Sequence, residues 1–372
     1  MFAAKLHGWQ KSGDSFVLEI KEKSMKKNKA WISLSTIFLL ALMLNQAQAG
    51  VIFGVGATFP KQVYQEWGKQ YKAETGSSLA YFAQGSGKGI EAISSGKADF
   101  GASDKPLTPE ELERDRLIQF PVLIGGIVPV VNIKKIGDGQ LQLDGTTLAD
   151  IYLGKIRHWN DPAIVALNPG LVLPDDAINV LYRSDKSGST FVLTDYLSKV
   201  SGEWKAALGA ATAVAWKVGE GAEGGDNLAK KIGNTPNSIG YLDPAVVQQR
   251  HLAIVKMRNR DGKYVSPNQA SFAAAAKSAE WNPSNGFNQS LTDQTGSESW
   301  PLATATYIVI SRSPAEAAGT EEALKYFDWT FRKGNVIAQN LGFVLIPAET
   351  MQSVRDFWKA QIRDRAGRPL WK

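Results

Sequence analysis

Three observations predict an α/β fold. Short apolar runs rich in β-branched residues alternate with segments of helical period along the chain, the order of a layered α/β protein rather than an all-β one. Several of these runs pass through a turn of small residues directly into a helix-like segment. The 372 residues are 44% hydrophobic and 21% charged, values of an ordinary folded chain that exclude a disordered, fibrous or multi-span membrane protein. That length suggests about two domains.

Taken in order, residues 51–55 (VIFGV) read as a first strand. After a turn at residues 56–60, Val63, Tyr64, Trp67 and Tyr71 share one face of a helix that Thr75 and Gly76 stop. Pro60 suits the first turn of that helix, where a missing N–H costs nothing, and Thr58 is positioned to cap it. Residues 98–104 (ADFGASD) read as a short strand whose end delivers Asp104. The apolar run from Pro121 to Val131 is too broken by Gly and Pro for a helix, so a buried strand and crossover are expected. Residues 178–183 form a strand ending on Arg183, followed by the loop 184–189 and a helix with Leu193, Leu197 and Val200 on one face. A late strand covers 303–310, and the helix after it carries Leu324, Phe327 and Phe331. Stretches 219–226 and 281–298 are loop-rich.

Cysteine is absent, which removes disulfides, thiolate metal sites, a cysteine nucleophile and any lipid-bearing cysteine. The three histidines, His7, His158 and His251, are too far apart for a local multi-His metal motif. Neither a metal nor a cofactor is expected. Residues 25–49 have a basic start, an apolar run and an Ala-x-Ala end, the pattern of a secretory signal peptide. The run is shorter than the ~20 residues needed to cross hydrocarbon. Residues 1–24 precede this complete signal and are expected to be an upstream extension from a start assigned too early. Residues 1–49 hold seven Lys and three acids, so the rest of the chain carries a net charge of only +2. A nucleic-acid or anionic-membrane surface is therefore not indicated, and a soluble periplasmic protein without a lipid anchor is the simplest location.

Four loops share one chemical character. Residues 56–59, 84–87 and 183–189 each lead into a helix, and residues 101–104 end a strand. A helix start aims free backbone N–H groups and the positive end of the helix dipole at whatever sits there, which makes an anion site. Thr58, Ser86, Ser187 and Ser189 add hydroxyl donors, and Arg183 supplies a planar, always-charged fork suited to oxyanions. Any one such loop is more often a plain cap.

The motifs GATFP at 56–60, DFGASD at 99–104, DIYLGKIRHWN at 150–160 and RSDKSGST at 183–190 resemble the phosphate-binding proteins of bacterial phosphate ABC importers, the PstS family. The resemblance runs on through SIGY at 238–241, GSESWP at 296–301 and KYFDW at 325–329. It implies two α/β lobes of the periplasmic binding protein type (type II-like) joined by a hinge, with phosphate buried in the cleft between them. One lobe would hold residues 50–129 with 303–372 and the other residues 130–302. It also implies phosphate contacts at Thr58, Phe59 through its backbone, Ser86, Asp104, Arg183, Ser187, Gly188 and Ser189. The implied partners are inorganic phosphate and the permease and ATPase subunits of the importer, with the free protein a monomer and no nucleic acid bound. Two departures stand out: Ser189 where the family often has Thr, and Lys88 as an extra cation in the second loop, expected to face solvent.

Asp104 would turn an anion site into a phosphate site. A carboxylate repels an oxyanion unless the ligand can donate a hydrogen bond, and near neutral pH phosphate keeps a proton that sulfate lacks. The alternatives are a carrier for another oxyanion such as sulfate or molybdate, and a secreted phosphatase or serine hydrolase with His158 or His251 as base. No Gly-x-Ser-x-Gly elbow supports an enzyme, and the glycines near residues 54–59 and 85–89 fit neither a dinucleotide fingerprint nor a P-loop.

Overall fold

In the computed structural model, which describes residues 50–372, alternate burial along the first strand sets the architecture. In β1 (Val51–Gly56), Ile52 is buried while Val51 and Phe53 are exposed. The strand lies between β2 (Ser78–Ala83) and β3 (Phe100–Ser103), parallel to both. Gly56 has φ of +152°, and a Cβ there would sit 2.2 Å from the carbonyl oxygen of Ala102; glycine thus permits the close approach of β1 and β3 at their carboxyl ends. Two antiparallel strands, β4 (Leu117–Gly126) and β13 (Ala303–Ser311), and a short edge strand β14 (Val344–Leu345) complete a six-stranded sheet in the order β14-β4-β13-β3-β1-β2.

The apolar run expected as strand and crossover is two strands in different sheets. Every residue of β4 is buried, and β5 (Val128–Asn132) begins a second sheet two residues later. With β7 (Asn179–Arg183), β8 (Glu220–Ala222), β9 (Ser238–Leu242) and β10 (Ala253–Ile254) it has the order β10-β5-β9-β7-β8, and β6 (Gln142–Leu143), β11 (Lys256–Arg258) and β12 (Tyr264–Val265) form a small third sheet. The strand β8 lies within the stretch read as loop and pairs parallel to β7. Three residues were too few to show a strand period.

The two sheets are the cores of two lobes, and the chain leaves the first for the second at Ile127. Ile127 lies beside the start of β13, where its N–H donates to the carbonyl of Leu302 at 2.9 Å. Helices cover the sheets as the apolar faces predict. Val63, Tyr64, Trp67 and Tyr71 of α1 (Lys61–Thr75) are buried, and Gly76 ends the helix in the left-handed conformation. Leu324, Phe327 and Phe331 are buried on the long helix Ala317–Lys333, where Phe327 packs edge-on against Phe100 and Phe120 of the first sheet. The helix Gln269–Ala276 packs against β4 and β13, so this part of the 130–302 segment lies on the first lobe's sheet.

The expected leader and upstream extension lie outside the described residues. Among the described residues no helix is long and apolar enough to cross a membrane.

Candidate ligand site between the lobes

Parallel strands deliver their carboxyl ends to the cleft, the usual place for a ligand in an α/β sheet. From the first lobe, β3 ends at Ser103 and presents Asp104. From the second, β7 ends on Arg183, and the loop behind it leads into α3 (Gly188–Val200), while α2 (Ser86–Ser94) starts on the facing side.

Arg183 is only 2% exposed. Its Nε and Nη2 donate to the two carboxylate oxygens of Asp185 at 2.7 and 2.5 Å, and its Nη1 donates to Thr58 Oγ1 across the cleft at 3.0 Å. The pairing with Asp185 leaves Nη1 of the guanidinium for the opposite lobe. Tyr241 holds the backbone beneath: the Arg183 N–H donates to its hydroxyl at 3.0 Å, and that hydroxyl lies 2.6 Å from Thr190 Oγ1. Burial raises the Asp185 carboxyl, but the hydrogen bonds and charge of Arg183 overcome it and hold the group below the usual carboxylate range.

The expectation that Thr58 caps α1 fails. The helix starts at Lys61, after Pro60 in the capping position with no side-chain cap, because the Thr58 hydroxyl is engaged with Arg183 instead. Phe59 is 1% exposed, and its ring packs edge-on against Phe343 at 4.9 Å; whatever it offers the cleft must come from its backbone.

Asp104 is 1% exposed. Its Oδ1 accepts from Thr306 Oγ1 at 2.7 Å, and its backbone N–H donates to Ser86 Oγ at 3.2 Å. Burial pushes its pKa up to about 7, against the Thr306 hydrogen bond and the charge of Arg183, with Asp243 raising it further. Thr306 was missed in the sequence, although buried polar residues at alternate positions 304 and 306 of an otherwise apolar strand are a period-two signal for one face.

Gly188 closes the ring. A Cβ on it would lie 2.3 Å from Ser86 Oγ and 2.6 Å from Asp104 Oδ2, so the first turn of α3 approaches both groups of the opposite lobe as only a glycine allows. Ser187 caps α3 by accepting the Thr190 N–H at 3.3 Å, which leaves its own hydroxyl proton free to donate. Ser189, 5% exposed, is the second residue of the helix. The N–H groups of Gly188 and Ser189 have no partner inside the helix. The structure thus brings all eight sequence-derived candidates to the facing ends of the two lobes. Between them stand a guanidinium, hydroxyls, helix-start amides and one acid.

Above Thr58 a cavity of about 470 Å³ opens toward the surface, lined by Lys61, Lys88, Asp185 and Asp226 among others. Lys88 is 59% exposed and pairs with Glu91. A larger cavity of about 580 Å³, lined by Ile151, Arg157, Val180 and Glu220, lies on the second lobe and contains none of these groups. His158 is 54% exposed beside Asp175, and His251 is exposed at the end of a helix; neither reaches the cleft groups. Among the described residues no cluster of three or more His, Asp or Glu could hold a metal ion.

Comparison with known proteins decides the family. The family model of the PBP superfamily domain matches residues 45–333. The chain is 42% identical over 339 residues to the phosphate-binding protein PstS of Pasteurella multocida, covering 91% of this chain and 98% of the relative. The chain belongs to the PstS family of phosphate-binding proteins. A second PstS family member, from Haemophilus influenzae, is 43% identical over 317 residues, covering 85% of this chain and 95% of the relative. Among solved structures, the high-affinity periplasmic phosphate-binding protein PfluDING, bound with phosphate, superposes with a TM-score of 0.67 at 19% identity, over 82% of this chain and 93% of that one. The likeness confirms the two-lobed α/β fold.

Proposed function

We propose that this protein binds inorganic phosphate in the periplasm, buried between its lobes, and hands it to the permease and ATPase of an ABC importer without chemically altering it. The PstS relatives, phosphate-binding proteins, support the ligand, and one observation from this chain carries it: a buried carboxyl, Asp104, faces an otherwise donor-rich anion site. A fully ionised oxyanion can donate nothing to the ionised form of that acid and is repelled by it, whereas phosphate can donate a proton to it. A site built around a ligand's hydroxyl can reject an analogue lacking it by ~10⁴ to 10⁵, because a buried polar group without its partner keeps its full desolvation cost.

Thr58, Ser86, Ser187 and Ser189 supply hydroxyl hydrogen bonds, the backbones of Phe59, Gly188 and Ser189 supply amides, and Arg183 supplies positive charge. The closing bodies follow the division into residues 50–129 with 303–372 and residues 130–302, except that the stretch from Gln269 to Leu302, packed on β4, β13 and the C-terminal helices, moves with the first lobe. Closure replaces the anion's hydration shell with dry hydrogen bonds. A micromolar constant corresponds to about −8 kcal/mol, within reach of such a set of charge-assisted bonds.

Titration calorimetry on phosphate-stripped protein tests this. Phosphate should bind and sulfate should not compete, and the Asp104→Asn variant should lose most of that discrimination. Sulfate binding as tight as phosphate, or rejection unchanged in the variant, would refute the assignment. No release of product from a chromogenic phosphate ester is expected.

A further inference from the structure

Asp243 is a buried acid with no part in the site described above. It follows β9 and caps α5 (Pro244–Arg250), with Oδ1 accepting the Val246 N–H at 3.0 Å, and it is 5% exposed. Its other oxygen looks toward the cleft. Oδ2 lies 3.8 Å from the point that a Cβ on Gly225 would occupy, and that same point is 3.5 Å from Thr58 Oγ1 and 4.0 Å from Arg183 Nη1. A small unfilled space at Gly225 is thus shared by a hydroxyl and a guanidinium of the phosphate site and by a second carboxylate.

The charges around Asp243 come from every side. Arg183 stands at the end of β7 and Asp226 in the first turn of α4 (Gly225–Asn234). Asp104 reaches in from the opposite lobe, where its field is felt. Lys61 of α1 pairs with Asp226 at 2.7 Å, and Arg183 is held by Asp185, so each of these cations already has an acid of its own. On the element that Asp243 caps, Arg250 lies at the far end.

The first lobe touches the helix that Asp243 caps. Gln62 of α1 donates to Gln249 of α5 at 3.2 Å, and Gly342 lies against Pro244, where a Cβ on it would be 3.5 Å from the proline Cβ. Opening the cleft therefore lets water reach Asp243 and carries Asp104 away from it. Closing it desolvates one carboxylate, brings a second toward it and, when phosphate is present, adds more negative charge. All three changes favour the neutral acid.

We propose that closure on phosphate is coupled to capture of a proton by Asp243, which makes this residue the one that sets the pH response of binding. The inference rests on the phosphate reading above. A proton from solvent adds to Oδ2 on closing and returns to solvent on opening, and the O–H so formed can donate into the space at Gly225. Burial, reinforced by Asp226 and opposed by the Val246 N–H and the charge of Arg183, pushes the closed-state pKa of Asp243 to about 7, whereas a hydrated Asp titrates near ~4.

Calorimetric titration of phosphate into the phosphate-stripped full chain at about pH 6, in buffers of different ionisation enthalpy, counts the protons taken up per phosphate bound. Asp243→Asn keeps a capping acceptor and removes the proton site. Changes in the phosphate's own protonation are common to both proteins and cancel in the difference. The wild type should take up about 0.9 proton more than the variant, the fraction set by a group moving from ~4 to ~7. Asp226→Asn, which removes a charge that raises Asp243, should show a smaller reduction and serves where the first variant does not fold. Binding with equal proton counts in wild type and variant would overturn this inference alone. Absence of phosphate binding by the wild type would overturn the functional reading and this inference with it.

Discussion

Replacing Gly188 with alanine separates closure from folding. The residue begins α3 and is not among the glycines of positive φ, so alanine fits its backbone and is the better helix former. The cost arises only across the cleft. The added methyl would stand 2.3 Å from Ser86 Oγ and 2.6 Å from Asp104 Oδ2, against ordinary contact from 3.4 Å, so the lobes must part by roughly 1 Å. Overpacking of this kind costs about 1–3 kcal/mol, and with tenfold in affinity for each ~1.4 kcal/mol phosphate should bind about 5- to 150-fold more weakly. Calorimetry reads the affinity, and thermal unfolding without phosphate reads the fold, which should be unchanged. Wild-type affinity in Gly188→Ala would refute the facing of Gly188, Ser86 and Asp104 on which the site is built.

Arg183→Ala should abolish measurable phosphate binding in the same titration and destabilise the fold by about 1–3 kcal/mol in denaturant unfolding, because it removes two charge-assisted hydrogen bonds from the half-buried Asp185 carboxylate. Lys61→Ala breaks only a half-exposed pair, with side chains 36% and 52% exposed; it should change phosphate affinity by no more than about fivefold, and a larger loss by calorimetry would mean that this rim contact governs closure. The phosphate-free protein should melt at progressively lower temperature as pH rises from about 5 to 7. In that window the folded state holds a proton on Asp104, raised to about 7, that the unfolded chain has already lost, so the contribution of this group falls with pH; an Asp104→Asn variant with the same pH dependence as the wild type would contradict that shift. The mass of the exported protein should correspond to a chain starting at Gly50, and a chain retaining Phe2 or Lys5 would refute the signal-peptide reading.

Much of the scaffold was legible because its signals are periodic. The buried face of α1 through Val63, Tyr64, Trp67 and Tyr71 and the core row Leu324, Phe327 and Phe331 follow from helical spacing alone. What periodicity cannot show is which lobe's loop meets which. Arg183 and Thr58 are 125 residues apart in the chain and on different lobes, and Asp104 and Thr306 are 202 apart on neighbouring strands of one sheet, so their contacts depend on the tertiary fold. Thr58 illustrates the limit: local sequence makes it a helix cap, and only the tertiary fold gives it to Arg183. The site residues themselves came from small-residue loops before helices together with family resemblance. Asp243 escaped notice because a cap at a strand end looks the same whether or not a second lobe lies over it.

The most direct test of the account is a crystal structure of the phosphate complex at neutral pH. It should show the anion held between Arg183 and the first amides of α3, with one of its oxygens within hydrogen-bond distance of Asp104 Oδ2. An anion bound elsewhere, or one sitting in the cleft with Asp104 turned away from it, would contradict the claim that a buried acid selects the ligand by its remaining proton.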